Sequence, residues 1–188
     1  MRELSHRINN EFTSAINLIS LAAARSSNSE VKIALNTVNE RLHHYADVHR
    51  TLQMPEHHTR VDAASYLRQL CLSISRSKLE SNNIKLVLAA RPLLMQSDQC
   101  WRLGMIVYEL ITNAARHAFR GTEGEIMVEL WPAGALVECR VSDNGTAAKK
   151  IGPGRGLHIV QELAKRLGGG FEQSFGPHGS TSLLRFPV

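Results

Sequence analysis

The stretch YELITNAARHAF, residues 108–119, places a carboxylate, an amide and a cation on one face of a predicted helix. Spacings of four and three residues bring Glu109, Asn113 and Arg116 into a single stripe. An amide oxygen can ligate a hard cation and a guanidinium can pair with phosphate oxygens, so the stripe suits a magnesium-bound polyphosphate. Taken by itself, the same pattern is more simply explained as a solvated helix face.

Two later segments carry features that would complete such a site. In VSDNG, residues 141–145, Asp143 follows an apolar strand, where its carboxylate could bind an exocyclic amine or shape a turn. In GPGRGLHIVQELAKRLGG, residues 152–169, a glycine-rich loop leads into a helix whose free N–H groups would attract an anion. A lone Gly-x-Gly is a weak indication of phosphate binding.

The elements around these motifs alternate between helices and strands. Asp62 or its neighbour is predicted to cap a helix that continues to about Lys78, and Ser97 or Asp98 a helix that ends near Phe119. A third helix is predicted at about 155–167, and a β-hairpin is predicted to turn at Gly134. The predicted strands are 83–90, 92–96, 124–134, 135–145, 170–175 and 181–187. This order of elements, α β β α β β α β β, predicts a two-layer α/β sandwich over residues 62–188.

Residues 1–54 are organised differently, as two amphipathic helices joined by a polar turn, with 54–61 as a linker. The first helix is predicted at 2–26, and Ser29 is a candidate N-cap of the second. The second helix carries a heptad seam that only His49 interrupts: Val31, Leu35, Val38, Leu42, Tyr45, His49 and Leu52. Such a hairpin cannot cover its own apolar faces, so we expect a dimeric four-helix bundle. Packing on the rest of the same chain is the alternative. The predicted fold class is therefore α+β.

The composition of the 188-residue chain indicates a soluble, globular protein. Without an apolar run of about 18 residues, no membrane segment is predicted. The net charge of +5 is spread thinly among few aromatic residues, which disfavours a nucleic-acid groove. Cys71, Cys100 and Cys139 lie in apolar contexts and are expected to be buried free thiols. We therefore expect a cytoplasmic protein.

The segment ELSHRINN, residues 3–10, places His6 on a polar helix face together with Asn9, Asn10, Thr13 and Asn17. As a metal ligand His6 is poorly placed, because no second His, Cys or acid lies three or four residues later. The motifs of residues 62–188, taken in order, resemble the ATP-binding domain of the gyrase, chaperone and histidine-kinase superfamily. ELSHRINN followed by a helical hairpin resembles the dimerisation and phosphoacceptor region of histidine kinases of the HWE and His-Arg-x-x-Asn type.

The resemblance implies a two-component signalling protein that uses ATP and Mg²⁺. His6 would be the phosphoacceptor, Glu109 a base, and Asn10 a group that orients water towards a phosphorylated receiver. The partners would be a second copy of the chain and the receiver domain of a response regulator. In the nucleotide site, Asn113 would bind Mg²⁺ and Asp143 would bind the adenine amino group, with Gly145 beside the base. The residues at the phosphates would be Arg116, Gly154 and Gly156. Thr181 would belong to the last glycine- and threonine-containing box of the family.

Two departures from the family pattern leave two function classes open. Ala147 replaces the second glycine of Asp-x-Gly-x-Gly, and only TAAKKIGP separates Gly145 from Gly154, so the segment that closes over ATP is short. In the first class, the protein phosphorylates His6 from ATP and passes the phosphoryl group to a response-regulator aspartate. In the second, a degenerate ATP-binding domain leaves a histidine phosphotransferase or a phosphatase.

Overall fold

The computed structural model describes residues 2–53, 59–119, 121–146 and 155–188, with only the backbone of 2–6 and 155. The chain divides into two compact units, Met1–Gln53 and Met54–Val188. The first consists of helices and the second of a five-stranded sheet with helices, so the predicted α+β class is confirmed.

The first unit is a hairpin of two long helices, α1 (Arg2–Arg25) and α2 (Ser29–Thr51). Asn28 caps α2, because its side-chain oxygen accepts hydrogen bonds from the N–H groups of Glu30 and Val31. The predicted cap, Ser29, is instead the first helical residue; either side chain suits a cap, and Asn28 is the one with extended backbone. The hairpin leaves large apolar side chains exposed: Leu18, Leu21, Val31, Ile33, Val38 and Tyr45.

The second unit is built on one mixed sheet. In chain order its strands and α-helices are β1 (Arg60–Asp62), α3 (Ala63–Ile74), β2 (Ile84–Ala90), β3 (Leu94–Gln96), α4 (Ser97–His117), β4 (Gly124–Ala133), β5 (Leu136–Asp143), α5 (Arg155–Arg166), β6 (Gly170–Gly176) and β7 (Gly179–Pro187). A π-helical turn (Ser75–Leu79) and a 3-10 turn (Glu80–Asn82) follow α3. The sheet order is β2-β4-β5-β7-β6, with β2 parallel to β4 and the other neighbours antiparallel. β1 and β3 form a separate two-stranded ribbon.

Alternation along the strands puts one face of the sheet against the helices. Apolar side chains from this face and from α3, α4 and α5 form the core, among them Ile126, Val128, Leu130, Val137, Val141, Leu184 and Phe186 of the sheet and Leu67, Leu70, Leu103, Ile106, Val107 and Val160 of the helices. β5 ends at Asp143 on the same inner face, next to the strand β7. This end of β5 and the facing surface of α4 therefore supply the positions of the site below.

Two details of the second unit differ from the prediction. The expected linker contains the start of a strand, β1, because three residues pair with Leu94–Gln96 without any periodic signal of their own. α4 is capped by Gln96, through a reciprocal capping box with Gln99, and not by Ser97 or Asp98. Asp98 instead lies in the first turn and forms an ion pair with Arg102.

The three cysteines are buried and free, as predicted. Burial raises the pKa of the thiols of Cys71, Cys100 and Cys139 to about 12, so they remain protonated and unreactive at neutral pH. Among the residues that the structure describes, no helix has the length and apolar character needed to cross a membrane.

Candidate functional site

The first part of the site lies where α4 faces the start of α5. A Cβ atom built on Gly156 would lie 2.7 Å from Glu109 Oε2, 3.3 Å from Asn113 Nδ2 and 3.5 Å from Asn113 Oδ1. The glycine therefore lets the first turn of α5 approach a carboxylate and an amide of α4 more closely than a side chain at this position would allow. Arg116, one turn further along α4, is exposed. The structure thus brings Glu109, Asn113 and Gly156 together, as their sequence motifs would require.

The donor atoms at this point suit Mg²⁺, which prefers oxygen ligands and keeps waters or phosphate oxygens in its shell. Asn113 Oδ1 and Glu109 Oε2 can each offer one oxygen. Among the described side chains, no three His, Cys, Asp or Glu residues form a metal cluster. An ion here would therefore need further ligands from the phosphates of a bound nucleotide and from water.

The second part of the site is the end of β5, where Asp143 is buried and firmly held. Its Oδ1 accepts a hydrogen bond from Gly145 N at 3.0 Å and a longer one from Ser180 N at 3.4 Å. Its Oδ2 accepts from the Ser180 hydroxyl at 2.5 Å. A carboxylate has about four lone-pair positions, so Asp143 can still accept a hydrogen bond from a ligand.

The residues after Asp143 are fixed from both sides. Asn144 Oδ1 accepts a hydrogen bond from Glu125 N at 2.8 Å, and Asn144 N donates to Glu125 O at 3.2 Å. A Cβ on Gly145 would collide with the backbone and side chain of Ala118 at the end of α4. The segment Asp143–Gly145 is therefore locked between β4 and α4, which keeps the carboxylate in place before any ligand binds.

Ser180, which no sequence motif singled out, lies opposite Asp143 in the structure. In β7 the side chains of Ser182, Leu184 and Phe186 are buried on the helix side, and alternation puts Ser180 on that same side. Thr181, the predicted residue, pairs with Ser142 and faces the other side of the sheet. The sequence signal that would have favoured Ser180 is the alternation in β7, where the apolar Leu184 and Phe186 flank the charged Arg185.

The other predicted residues are described only in part. Gly154 lies outside the described residues, as do 147–153. The backbone of His6 lies in α1, and its side chain is outside the described atoms. Asn10, one turn later, is exposed. Asn9 is half-buried against His49 of α2, which removes it from the solvated polar face that the sequence predicted.

Comparison with known families fits this architecture. Residues 3–78 match the model described as histidine kinase, and residues 83–181 match the model described as histidine kinase-like ATPase domain. The chain belongs to the histidine kinase family. Both matches confirm the predicted family.

Individual relatives show how much of a kinase the chain covers. The sensor histidine kinase PdtaS of Mycobacterium tuberculosis is 28% identical over 206 residues, covering 100% of this chain and 39% of the relative. The histidine kinase domain of the Erythrobacter litoralis EL346 blue-light activated kinase is similar with a TM-score of 0.67 and 17% identity, covering 94% of this chain and 96% of that one.

A second solved structure, described as a bacterial phosphotransferase, also has a TM-score of 0.67, at 12% identity. The match covers 96% of this chain and 91% of the phosphotransferase chain. At these identities the two structures are similar to this chain in fold alone. The chain spans well under half of the length of the PdtaS sequence it matches.

Proposed function

We propose that the second unit binds Mg-ATP and that the γ-phosphoryl group is transferred to His6. A ring nitrogen of His6 attacks the γ-phosphorus, the bond from that phosphorus to the β–γ bridging oxygen breaks, and ADP leaves. The observation that carries the proposal is the close approach of Gly156 to α4, which brings the α4 carboxylate and amide to the first turn of a glycine-preceded helix. Mg²⁺ held at Asn113 would neutralise phosphate charge during the transfer.

The side chains of the site have separate tasks in this proposal. Asp143, fixed by Ser180 and Gly145, accepts a hydrogen bond from the amino group of adenine. Glu109 lies near enough to the Asn113 amide to act beside the phosphates as the base that takes the proton of His6. Arg116 is exposed on the same face of α4 and can pair with phosphate oxygens.

The phosphoryl group then moves from His6 to an aspartate in the receiver domain of a response regulator. The partner approaches the α1 turn around Asn10, whose side chain is exposed. We propose that the amide of Asn10 orients a water molecule for the reverse task, hydrolysis of the aspartyl phosphate. A cytoplasmic location and a homodimer are parts of the same proposal, and the exposed apolar face of the hairpin supports the homodimer.

A specific feature favours a second candidate, a histidine phosphotransferase that does not use ATP. The segment between Gly145 and Gly154 is short, and Ala147 stands where the family has a second glycine. The fold likeness to a bacterial phosphotransferase is compatible with this candidate. Such a protein would accept its phosphoryl group on His6 from a phosphorylated receiver.

One experiment separates the two candidates. The chain is incubated with γ-labelled Mg-ATP, or with a labelled phospho-receiver, and the acid-labile label on the protein is measured. The test variant is His6→Ala, and the matched control is His43→Ala, because His43 is also a histidine of the hairpin and is exposed. The kinase predicts label from ATP that is lost in His6→Ala and Asn113→Ala and kept in His43→Ala. Label arising only from the phospho-receiver, with no heat from Mg-ADP in titration calorimetry at millimolar concentration, would reject the kinase in favour of the phosphotransferase.

A further inference from the structure

The histidine that interrupts the heptad seam of α2 has a specific partner on α1. His49 Nδ1 lies 3.3 Å from Asn9 Oδ1, and the His49 ring packs on the ring of Phe12 with centroids 6.0 Å apart and planes inclined by 51°. An amide oxygen can only accept, so the Nδ1 nitrogen of His49 carries the proton in this contact. Both His49 and Asn9 are half-buried.

The contact lies on the turn of α1 that carries the phosphoacceptor. Asn9 follows His6 by three residues and directly precedes Asn10. Successive residues of an α-helix are about 100° apart, so fixing the direction of one side chain fixes the directions of its neighbours. A polar anchor between the two helices at Asn9 therefore fixes the rotation of this turn of α1 about the helix axis.

We propose that His49 is a positioning residue, which through Asn9 sets the rotation of the α1 turn bearing His6 and Asn10. Apolar packing alone tolerates small rotations of a helix, because such contacts have no preferred direction. A hydrogen bond has a narrow geometry and removes that freedom. The proposal rests on the proposed role of His6, but the contacts that it depends on lie within the hairpin of α1 and α2.

Substitutions at His49 can separate the hydrogen bond from the ring packing. His49→Phe keeps an aromatic ring against Phe12 and loses the donor to Asn9. His49→Gln keeps a donor and loses the ring. The matched control is His43→Ala, since His43 is an exposed histidine of the same helix.

The first measurement needs no phosphorylation. In the 188-residue chain labelled with ¹⁵N-histidine, the ring signals of His6 are assigned by their loss in His6→Ala. His49→Phe and Asn9→Ala are expected to shift the His6 signals, and His49→Gln and His43→Ala to leave them close to the wild-type positions. Unmoved His6 signals in both His49→Phe and Asn9→Ala would overturn the inference, whatever the chain does with ATP.

The second measurement compares rates at saturating phosphodonor, with the thermal unfolding midpoint followed in parallel. His49→Phe and Asn9→Ala should each slow transfer through His6 about tenfold, near the upper range for one hydrogen bond, and the double variant should be no slower than either. His49→Gln should restore most of the rate. If the loss of rate follows the loss of thermal stability across the variants, or if the two losses of rate add in the double variant, His49 has a role in packing alone. If the wild-type chain takes no label from any donor, the proposed function fails and the ring signals still decide the inference.

Discussion

Asp143 illustrates how a single side chain is prepared for binding by its neighbours. The carboxylate is buried, yet the Ser180 hydroxyl and two backbone N–H groups offset the cost of removing its charge from water. Gly179 allows the chain to pass this close to Asp143. Its backbone has φ of +127°, and it packs directly on the carbonyl of Asp143. A ligand therefore meets a carboxylate whose direction is already fixed.

The first prediction concerns which hydroxyl of β7 serves Asp143. Ser180→Ala removes a hydrogen bond to a charged group and should lower the free energy of unfolding by about 1.5–3 kcal/mol and weaken Mg-ADP binding. Thr181→Ala is the matched control, because Thr181 faces the other side of the sheet. Urea unfolding and titration calorimetry measure the two effects. A larger loss in Thr181→Ala than in Ser180→Ala would contradict the assignment.

The second prediction concerns Gly179. An alanine there would be strained by the positive φ and would also collide with the carbonyl of Asp143, so we expect Gly179→Ala to destabilise the fold by ~2–4 kcal/mol. Gly134→Ala is a fitting control, since Gly134 has φ of +66° but nothing within 4 Å of a built Cβ. Its loss should be about 1 kcal/mol. Equal losses in urea unfolding would show that backbone strain alone matters.

At the scale of single elements, Asp62 connects a helix start to a strand. Its side chain accepts hydrogen bonds from the hydroxyl and N–H of Ser65, at 2.6 and 3.1 Å, and from Leu93 N at 2.9 Å. One carboxylate therefore caps α3 and also holds the chain just before β3. These hydrogen bonds, the one from the Ser65 hydroxyl first and that from Leu93 next, lower the pKa of Asp62 below its ordinary value of 3.8.

The third prediction follows from that lowered pKa. Asp62→Ala should cost about 1–2 kcal/mol of stability at pH 7, and Asp62→Asn clearly less. Because the unfolded chain takes up the proton first, the difference between wild type and Asp62→Ala should be complete above pH 3.8 and shrink as the pH falls through the folded-state value. Urea unfolding from pH 7 to pH 2.5 measures it. Glu162→Gln is the control: the pKa of Glu162 is also lowered, by Lys165, but its side chain is half-exposed. A pH-independent difference for Asp62→Ala would contradict the explanation.

How far the sequence predicts an element depends on how local its signal is. Alternating side chains predict the hairpin of β4 and β5 and its turn at Gly134, and helical periodicity predicts α4. The three-residue strand β1 escapes prediction because it exists only through pairing with β3. The parallel pairing of β2 with β4 is also non-local, since 33 residues lie between the end of β2 and the start of β4. The cap at Gln96 escapes prediction because glutamine is not among the preferred capping residues.

The same limit applies to the site. Glu109 and Asn113 share a helix face, so their spacing predicts that they lie together, whereas the approach of Gly156 depends on the packing of α5 on α4. The choice between Ser180 and Thr181 depends on the phase of β7, which is decided by which of its residues are buried. Motif spacing therefore locates the site on the chain, and tertiary packing decides which side chains enter it.

At the scale of the whole molecule, the heptad seam of α2 divides into two rows. Leu35, Leu42 and His49 are half-buried within the hairpin, while Val31, Val38 and Tyr45 remain exposed at intervals of seven residues. The exposed row is the part of the seam that a single chain does not cover. A second copy related by two-fold symmetry could cover it with the same residues, which would complete a four-helix bundle.

The last prediction tests this bundle at the exposed row. Val38 is 47% exposed, and a valine buried in a dimer contributes ~1.5–3 kcal/mol on each chain, so Val38→Asp should shift the protein towards monomer with little effect on the hairpin itself. Ile33 is more exposed, at 66%, but lies about 140° around α2 from Val38, so Ile33→Asp should stay dimeric. Light scattering over micromolar concentrations measures the mass, and circular dichroism checks that the helices persist. A wild-type monomer, or dissociation caused by Ile33→Asp and not by Val38→Asp, would show that this row is not the dimer seam.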